Sequence, residues 1–337
     1  LEENGIRFTD LPMVALPRPD ASPLSAAQRG LWIAWQREPD SPAYNLAGGL
    51  RLGGLLNVEA LEQACNDLRA RHEALRTSFT QDADGEPQQR VNPQQFQPLV
   101  CLELDEGASR QRAQALTCQA FDLLAEPALR LELHRLDTQQ HRLVIVLHHI
   151  LADGWSIGLI IEDLATAYAA RCQGQAAQWP ALTVQYADYA GWQQRWLDAG
   201  EQTRQLDYWR KQLGDDHTPL ALALDRPRSA VRESRGASVR LQLPGDTSQR
   251  LRNLAKAGGA TTFMAMLALL NLLLARHSGA DSVRIGSPLA NRSRAETQRV
   301  VGYFTTLSVL SNRVDERCSF TALLHQVRGT LLEAQEH

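Results

Sequence analysis

The sequence predicts a mixed α/β fold in two parts, each a sheet covered by helices. Three observations carry that prediction. Strand-like and helix-like periodicities alternate through both halves of the chain. A polar stretch without periodicity, Gln173 to Pro180, separates the halves. The 337 residues are 44% hydrophobic and 22% charged, enough apolar material for two cores without disulfide staples.

The elements follow in order. Prolines 12, 17, 19 and 23 favour extended structure, so residues 1–22 are expected to form a linker. With no initiator Met, the chain is read as cut from something larger. Ser25 can cap a helix to Trp35. Ala47 to Leu56 is strand-like, and Asn57 starts a helix with Val58, Leu61, Cys65 and Leu68 on one face. Leu75 to Thr80 reads as a strand. Asp82-Ala83-Asp84-Gly85 predicts a turn into a return strand, Glu86 to Val91, which Pro87 confines to an edge. A helix from Ser109 to Ala120, strands Leu129–Leu136 and Arg142–His149, and a helix Ser156–Cys172 complete the first part. Beyond the polar stretch come helices near 186–197, 201–213, 248–257, 262–277 and 320–336. Strands are expected at 239–243, 282–287 and 306–314. The domain reading is therefore a linker at 1–22, an N-terminal lobe at 23–177 and a C-terminal lobe at 178–337.

A net charge of −3 gives no strongly basic face for nucleic acid. The five cysteines show no metal spacing and are expected as lone buried thiols. No segment reaches the ~18 uninterrupted apolar residues of a membrane span, and Phe263–Ala275 reads as a buried helix. The first residues have no signal-peptide pattern, so a cytoplasmic location away from membranes is expected.

The chemistry concentrates in His148-His149-Ile150-Leu151-Ala152-Asp153-Gly154-Trp155, between an apolar strand and an amphipathic helix. Adjacent strand residues face opposite ways, so one His can look into a cleft while the other is packed inside. Asp153 at the loop-to-helix junction can bind backbone N–H groups or a buried Arg. Gly154 permits close backbone approach or a positive φ. A lone strand His is commonly a satisfied core residue, but two with Asp and Gly at this spacing are harder to dismiss. Zinc is disfavoured because adjacent strand His do not easily reach one ion. A Ser-His-Asp hydrolase is disfavoured by the lack of a GxSxG elbow.

His148-His149-x-x-x-Asp153-Gly154 resembles the HHxxxDG motif of the condensation domains of non-ribosomal peptide synthetases, within the chloramphenicol acetyltransferase-like superfamily. Further segments match in order: Leu24 to Trp32, Arg71-His72-Glu73-Ala74-Leu75-Arg76-Thr77-Ser78-Phe79, Tyr186 to Trp192, Asp225-Arg226-Pro227-Arg228 and Gly286 to Arg292. The resemblance covers the chain from Pro23 onward. It departs at Gly302-Tyr303-Phe304-Thr305-Thr306, where the family's GxFVNT segment carries an Asn, and at the end, where the family continues.

The resemblance implies two chloramphenicol acetyltransferase-like lobes in a V shape, the second C-terminally incomplete, which puts the activity of the isolated fragment in question. It implies amide-bond formation between a donor aminoacyl or peptidyl thioester and an acceptor aminoacyl thioester, with an L-donor and an L-acceptor. His149 is the implied catalytic residue, as base or as amine positioner. His148 and Asp153 support it, and the Gly154 N–H stabilises the oxyanion. Arg71 and Arg76 are candidate ion-pair partners of Asp153. No cofactor and no metal is expected in the domain itself. Substrates arrive on the phosphopantetheine arms of upstream and downstream carrier proteins, beside an adenylation domain. The competing readings are a catalytically silent condensation-like recruitment module, a coenzyme A-dependent O-acyltransferase and an epimerisation domain.

Overall fold

The computed structural model describes all residues except 1–11, 16, 18, 19, 126, 216, 217, 227–236 and 316. Part of the expected linker, and Pro227 and Arg228 of one family-like segment, therefore lie outside the described residues. The chain divides into two compact units, Leu1–Gly200 with Ala290–Thr305, and Glu201–Leu289 with Thr306–His337. The first break thus falls after Gly200 rather than at the polar stretch before Pro180. The helix expected at 186–197 belongs to the first unit because Tyr186, Tyr189 and Trp192 are buried in its core.

In the first unit, strand β1 (Ser22–Pro23) precedes helix α1 (Ala26–Arg37), β2 (Asn45–Gly53) and α2 (Val58–Arg71). Then come β3 (Thr77–Gln81), β4 (Pro87–Val91), β5 (Val100–Glu103), α3 (Glu106–Cys118), β6 (Leu129–Arg135), β7 (Gln140–His148), α4 (Gly154–Cys172) and α5 (Tyr186–Trp196). The main sheet has the order β2-β7-β6-β5, antiparallel except for the parallel β5–β6 pair. A smaller sheet has the order β1-β4-β3.

β7 explains why its sequence is apolar almost throughout. Leu143, Ile145 and Leu147 enter one core with α2 and α4, whereas Val144 and Val146 enter a second core with Leu31, Trp32 and Phe121. A strand buried on both faces needs apolar residues at every position, with alternate side chains serving alternate cores. Helix starts follow their caps. Ser25 and Gln28 form a reciprocal capping box on α1, and the Asn57 side chain accepts the Ala60 N–H at α2.

Several expectations are corrected. Residues 73–76 form a 3-10 turn before β3 instead of opening the strand. β4 pairs on both sides, but the two-residue β1 reaches only Gln88 and Gln89, so Pro87 still takes an edge-like place. Gly85 supplies the positive φ of +83° that the β3–β4 turn requires. Met13, within the expected linker, is buried in the first core, and its N–H donates to Glu296 Oε1 at 3.0 Å. Of the five thiols only Cys65 is buried, and burial raises its pKa to about 12; Cys101, Cys118, Cys172 and Cys318 are exposed.

The second unit holds α6 (Gln202–Leu213), α7 (Gly245–Ala257), α8 (Thr262–Ser278), β8 (Ser282–Leu289), β9 (Thr306–Arg313) and α9 (Phe320–Glu336). β8 and β9 form a two-stranded antiparallel sheet, and α8 and α9 pack a core with Val283 and Leu310. The strand expected at 239–243 does not form: the segment has no regular secondary structure, and Val239 is 96% and Leu241 86% exposed. α8 is only half the buried helix expected. Met264, Ala265, Leu267 and Ala268 are buried, whereas Phe263, Met266, Leu269, Leu270 and Leu273 form an exposed stripe. Among the described residues no single helix is long and apolar enough to cross a membrane.

Candidate functional site

The His-His segment leaves β7 at His148, passes through a 3-10 turn (His149–Leu151) and enters α4 with Asp153 as its N-cap. His148 continues the face of Val144 and Val146 and is 2% exposed. Its Nδ1 accepts the Ile150 N–H at 3.1 Å, so the ring serves as a cap for the turn. Burial, and secondarily the neighbouring His149, lower its pKa to about 4, so this imidazole is neutral at pH 7.

His149 is half-buried. Its backbone N–H donates to Tyr44 O at 2.8 Å, extending the β2–β7 ladder by one bond. Its Nδ1 lies 2.8 Å from Ala152 O. A carbonyl only accepts, so Nδ1 carries the proton, and in the neutral ring Nε2 keeps a lone pair. Nε2 has no hydrogen-bond partner among the described residues. The Tyr303 ring packs against this imidazole at 4.9 Å and 70° and limits its rotation.

Asp153 is 1% exposed and accepts from several sides. Oδ1 takes the Ser156 N–H at 2.9 Å, which caps α4, and Oδ2 takes the Phe304 N–H at 3.1 Å. Its ionic partner is Arg292, whose Nη2 lies 3.1 Å from Oδ1 and 3.3 Å from Oδ2. The expected partners, Arg71 and Arg76, are not there. Arg71 Nε donates at 2.8 Å to Asp163, which also receives His72 and Arg299. Arg76 donates to Asn92 O and lies near Glu73. Both precede or flank β3, whereas the 290–305 segment lies against the N-terminus of α4.

Sequence reasoning misses Arg292, although it ends a family-like segment, because 139 residues separate it from Asp153. Its Nη1 donates to Thr297 O and Val300 O at 2.7 Å each, and its Nη2 donates to Ser156 Oγ at 2.8 Å. The guanidinium stacks 4.1 Å over Phe304. With both terminal nitrogens bonded in a buried site, this is a structural ion pair, which holds the N-terminus of α4 against residues 290–305.

Two further contacts fix the loop. Gln28, whose side chain caps α1, donates to Ile150 O at 3.1 Å. Tyr186 donates to Tyr303 O and pairs with Ser25 Oγ at 2.7 Å. Burial pushes its phenol well above the usual range and keeps it a donor. The Tyr186 ring lies against Gly302 so closely that a Cβ there would sit 1.8 Å from Tyr186 Cδ2. The absent family Asn leaves this clamp intact, since Gly302 and Phe304 engage through backbone atoms. Gly154 does not use a positive φ. It is the exposed first residue of α4, with open space where a Cβ would stand, and its N–H has no intrahelical acceptor.

The family model for the condensation domain matches residues 19–337. The chain belongs to the condensation-domain family. It is 39% identical over 333 residues to a linear gramicidin synthase protein of Brevibacillus parabrevis, covering 97% of this chain and 4% of that protein. It is 40% identical over 336 residues to isonitrile lipopeptide synthase of Mycobacterium tuberculosis, covering 97% of this chain and 13% of the relative. This condensation domain therefore spans a small part of each of these curated relatives. Among solved structures, the X-domain from teicoplanin biosynthesis superposes with a TM-score of 0.88 at 30% identity, over 97% of this chain and 73% of that one. The first condensation domain of the calcium-dependent antibiotic synthetase shares the fold, with a TM-score of 0.78 at 24% identity over 94% of this chain and 76% of that one.

Proposed function

We propose that this condensation domain forms an amide bond between a donor acyl thioester and the amine of an acceptor aminoacyl thioester. Both arrive on phosphopantetheine arms of carrier proteins, and donor and acceptor are L-residues. One observation carries the reading: His149 Nε2 presents a free lone pair from a loop held by Gln28, Asp153 and Arg292.

The chemistry suits that lone pair. A thioester is already activated, so no covalent enzyme intermediate is needed. An α-amine has a pKa near ~8, so part of it is neutral at pH 7. Its nitrogen attacks the thioester carbonyl carbon, and a C–N bond forms as the carbonyl π electrons move to oxygen. His149 Nε2 takes the proton that the nitrogen loses. The oxyanion then reforms the carbonyl, the C–S bond breaks, and the thiolate receives the proton from His149. The Gly154 N–H, at the positive end of α4, is the donor for the transient oxyanion. His148 and Asp153 are positioning residues, since both are almost fully buried, at 2% and 1% exposure.

A second reading, a recruitment module without chemistry, is supported by the likeness to the X-domain, which has been solved in complex with OxyB. One experiment separates the two. The chain is mixed with aminoacyl-loaded donor and acceptor carrier proteins and the products are identified by mass. The catalytic reading predicts a dipeptidyl thioester on the acceptor carrier. It also predicts a loss of ~10²- to 10⁴-fold in His149→Ala, the range for a positioned base, at unchanged melting temperature. An inert wild-type chain, or an unimpaired His149→Ala variant, would sink it.

A further inference from the structure

Arg76, expected beside Asp153, instead lines a second site in the first unit. A cavity of about 370 Å³ opens between the C-terminal turn of α2, the 3-10 turn at residues 73–76 and the loop after β4. That volume falls within the ~300–1,000 Å³ typical of small-molecule sites. Arg69, Arg76, Asn92 and Gln94 line its polar side, and Leu75 and Leu129 form an apolar floor.

The walls are built. Asn66, buried in α2, donates to Gln97 O at 2.9 Å and accepts the Gln97 N–H at 2.8 Å, which pins the loop after β4. Asn92 N–H donates to Arg76 O, while Arg76 Nη1 donates back to Asn92 O.

The charges do not balance. Arg76 has a partial partner in Glu73 at 3.5 Å, and its Nε is buried without an acceptor. The Arg69 side chain has no hydrogen bond and no carboxylate partner among the described residues. Burial lowers its pKa, and the one group seen to offset this is the thiol of Cys65. Among the described residues, two guanidinium groups line the cavity and one carboxylate, Glu73, stands beside Arg76. A half-buried cation without a carboxylate partner is partly desolvated, and an incoming anion would offset that cost. The size of the ligand is bounded too. Leu75 and Leu129 also line a void beneath the floor, but that void holds only about 10 Å³, too little for an acyl chain.

We propose that this cavity binds a compact organic monoanion, a carboxylate on a small apolar body, with its charge against Arg69 and its body on Leu75 and Leu129. The assignment is independent of the chemistry at His149. Benzoate is the probe, with benzamide as its uncharged isostere, titrated calorimetrically into the whole chain at low salt. Saturable benzoate binding is expected, with benzamide at least tenfold weaker and Arg69→Gln weakening benzoate at least tenfold. Without ligand, Arg69→Gln should melt at or above the wild-type temperature, because no native ion pair is lost. The proposal is overturned by equal affinity for benzoate and benzamide, by unchanged benzoate binding in Arg69→Gln, or by a fall in melting temperature of that variant. Phenyl phosphate, a dianion near neutral pH, should bind no more tightly than benzoate. A tenfold preference for it would overturn the monoanion assignment.

Discussion

Two adjacent imidazoles carry opposite duties because one residue of backbone separates their environments. His148 is enclosed with its Nδ1 committed to the Ile150 N–H, whereas His149 has its Nδ1 committed and its Nε2 free. The enclosure has a measurable cost. The folded-state pKa of His148 is depressed to about 4 from the ordinary 6.5. The folded form therefore binds fewer protons than the unfolded form between those values. Its contribution to stability is complete above pH 6.5 and is lost as pH falls toward 4, by about 3 kcal/mol in all. His72, also depressed chiefly by burial, adds to the same slope. The His148→Asn variant keeps an acceptor for the Ile150 N–H but cannot titrate. Denaturation between pH 6.5 and 4 should show its pH slope reduced by about one proton relative to wild type. Identical slopes would mean that His148 is not held neutral by the fold.

At the scale of elements, the site is a place where three segments lock one turn. The capping box of α1 supplies Gln28, the start of α5 supplies Tyr186, and residues 290–305 supply Arg292 and the Gly302–Phe304 backbone. Gly302 is the tightest point, since any β-carbon would enter the Tyr186 ring. Gly302→Ala should therefore lower stability by roughly 1–3 kcal/mol or more, the usual range for overpacking, as read by chemical denaturation. In a Tyr186→Ala background the same glycine substitution should cost less, because the ring it would enter is gone. An alanine variant as stable as wild type would contradict the packing described.

Much of this was legible in the sequence. β7 and α4 follow from an apolar run, an Asp cap and a helical period, and that local pattern placed His148 on the strand and Asp153 at the junction into the helix, whereas His149, read as the last strand residue, opens the 3-10 turn. The partner of Asp153 was not legible, because periodicity carries no information about contacts 139 residues apart. Arg71 and Arg76 were the nearer arginines in sequence, yet Arg71 serves Asp163 and Arg76 lines a cavity. The strand expected at 239–243 shows the converse. Its alternation is real, but alternation specifies a face and does not supply a partner strand.

At the scale of the molecule, every residue of the described site falls within the first compact unit, including the 290–305 segment that interrupts the second unit in sequence. The polar stretch at 173–180 marked a change in composition, whereas the compact units follow the burial of α5. The second unit shows a different economy. Its α8 leaves an apolar stripe exposed, and its sheet has two strands. The proposed reaction depends on one protonation pattern in the whole chain, that of the His149 ring. Long-range ¹H–¹⁵N correlation spectroscopy of the histidine side chains, at mildly alkaline pH, reads that pattern directly. A protonated Nδ1 and a bare Nε2 are predicted. A ring with its proton on Nε2 would contradict the mechanism, because the atom assigned to receive the amine proton would already be occupied.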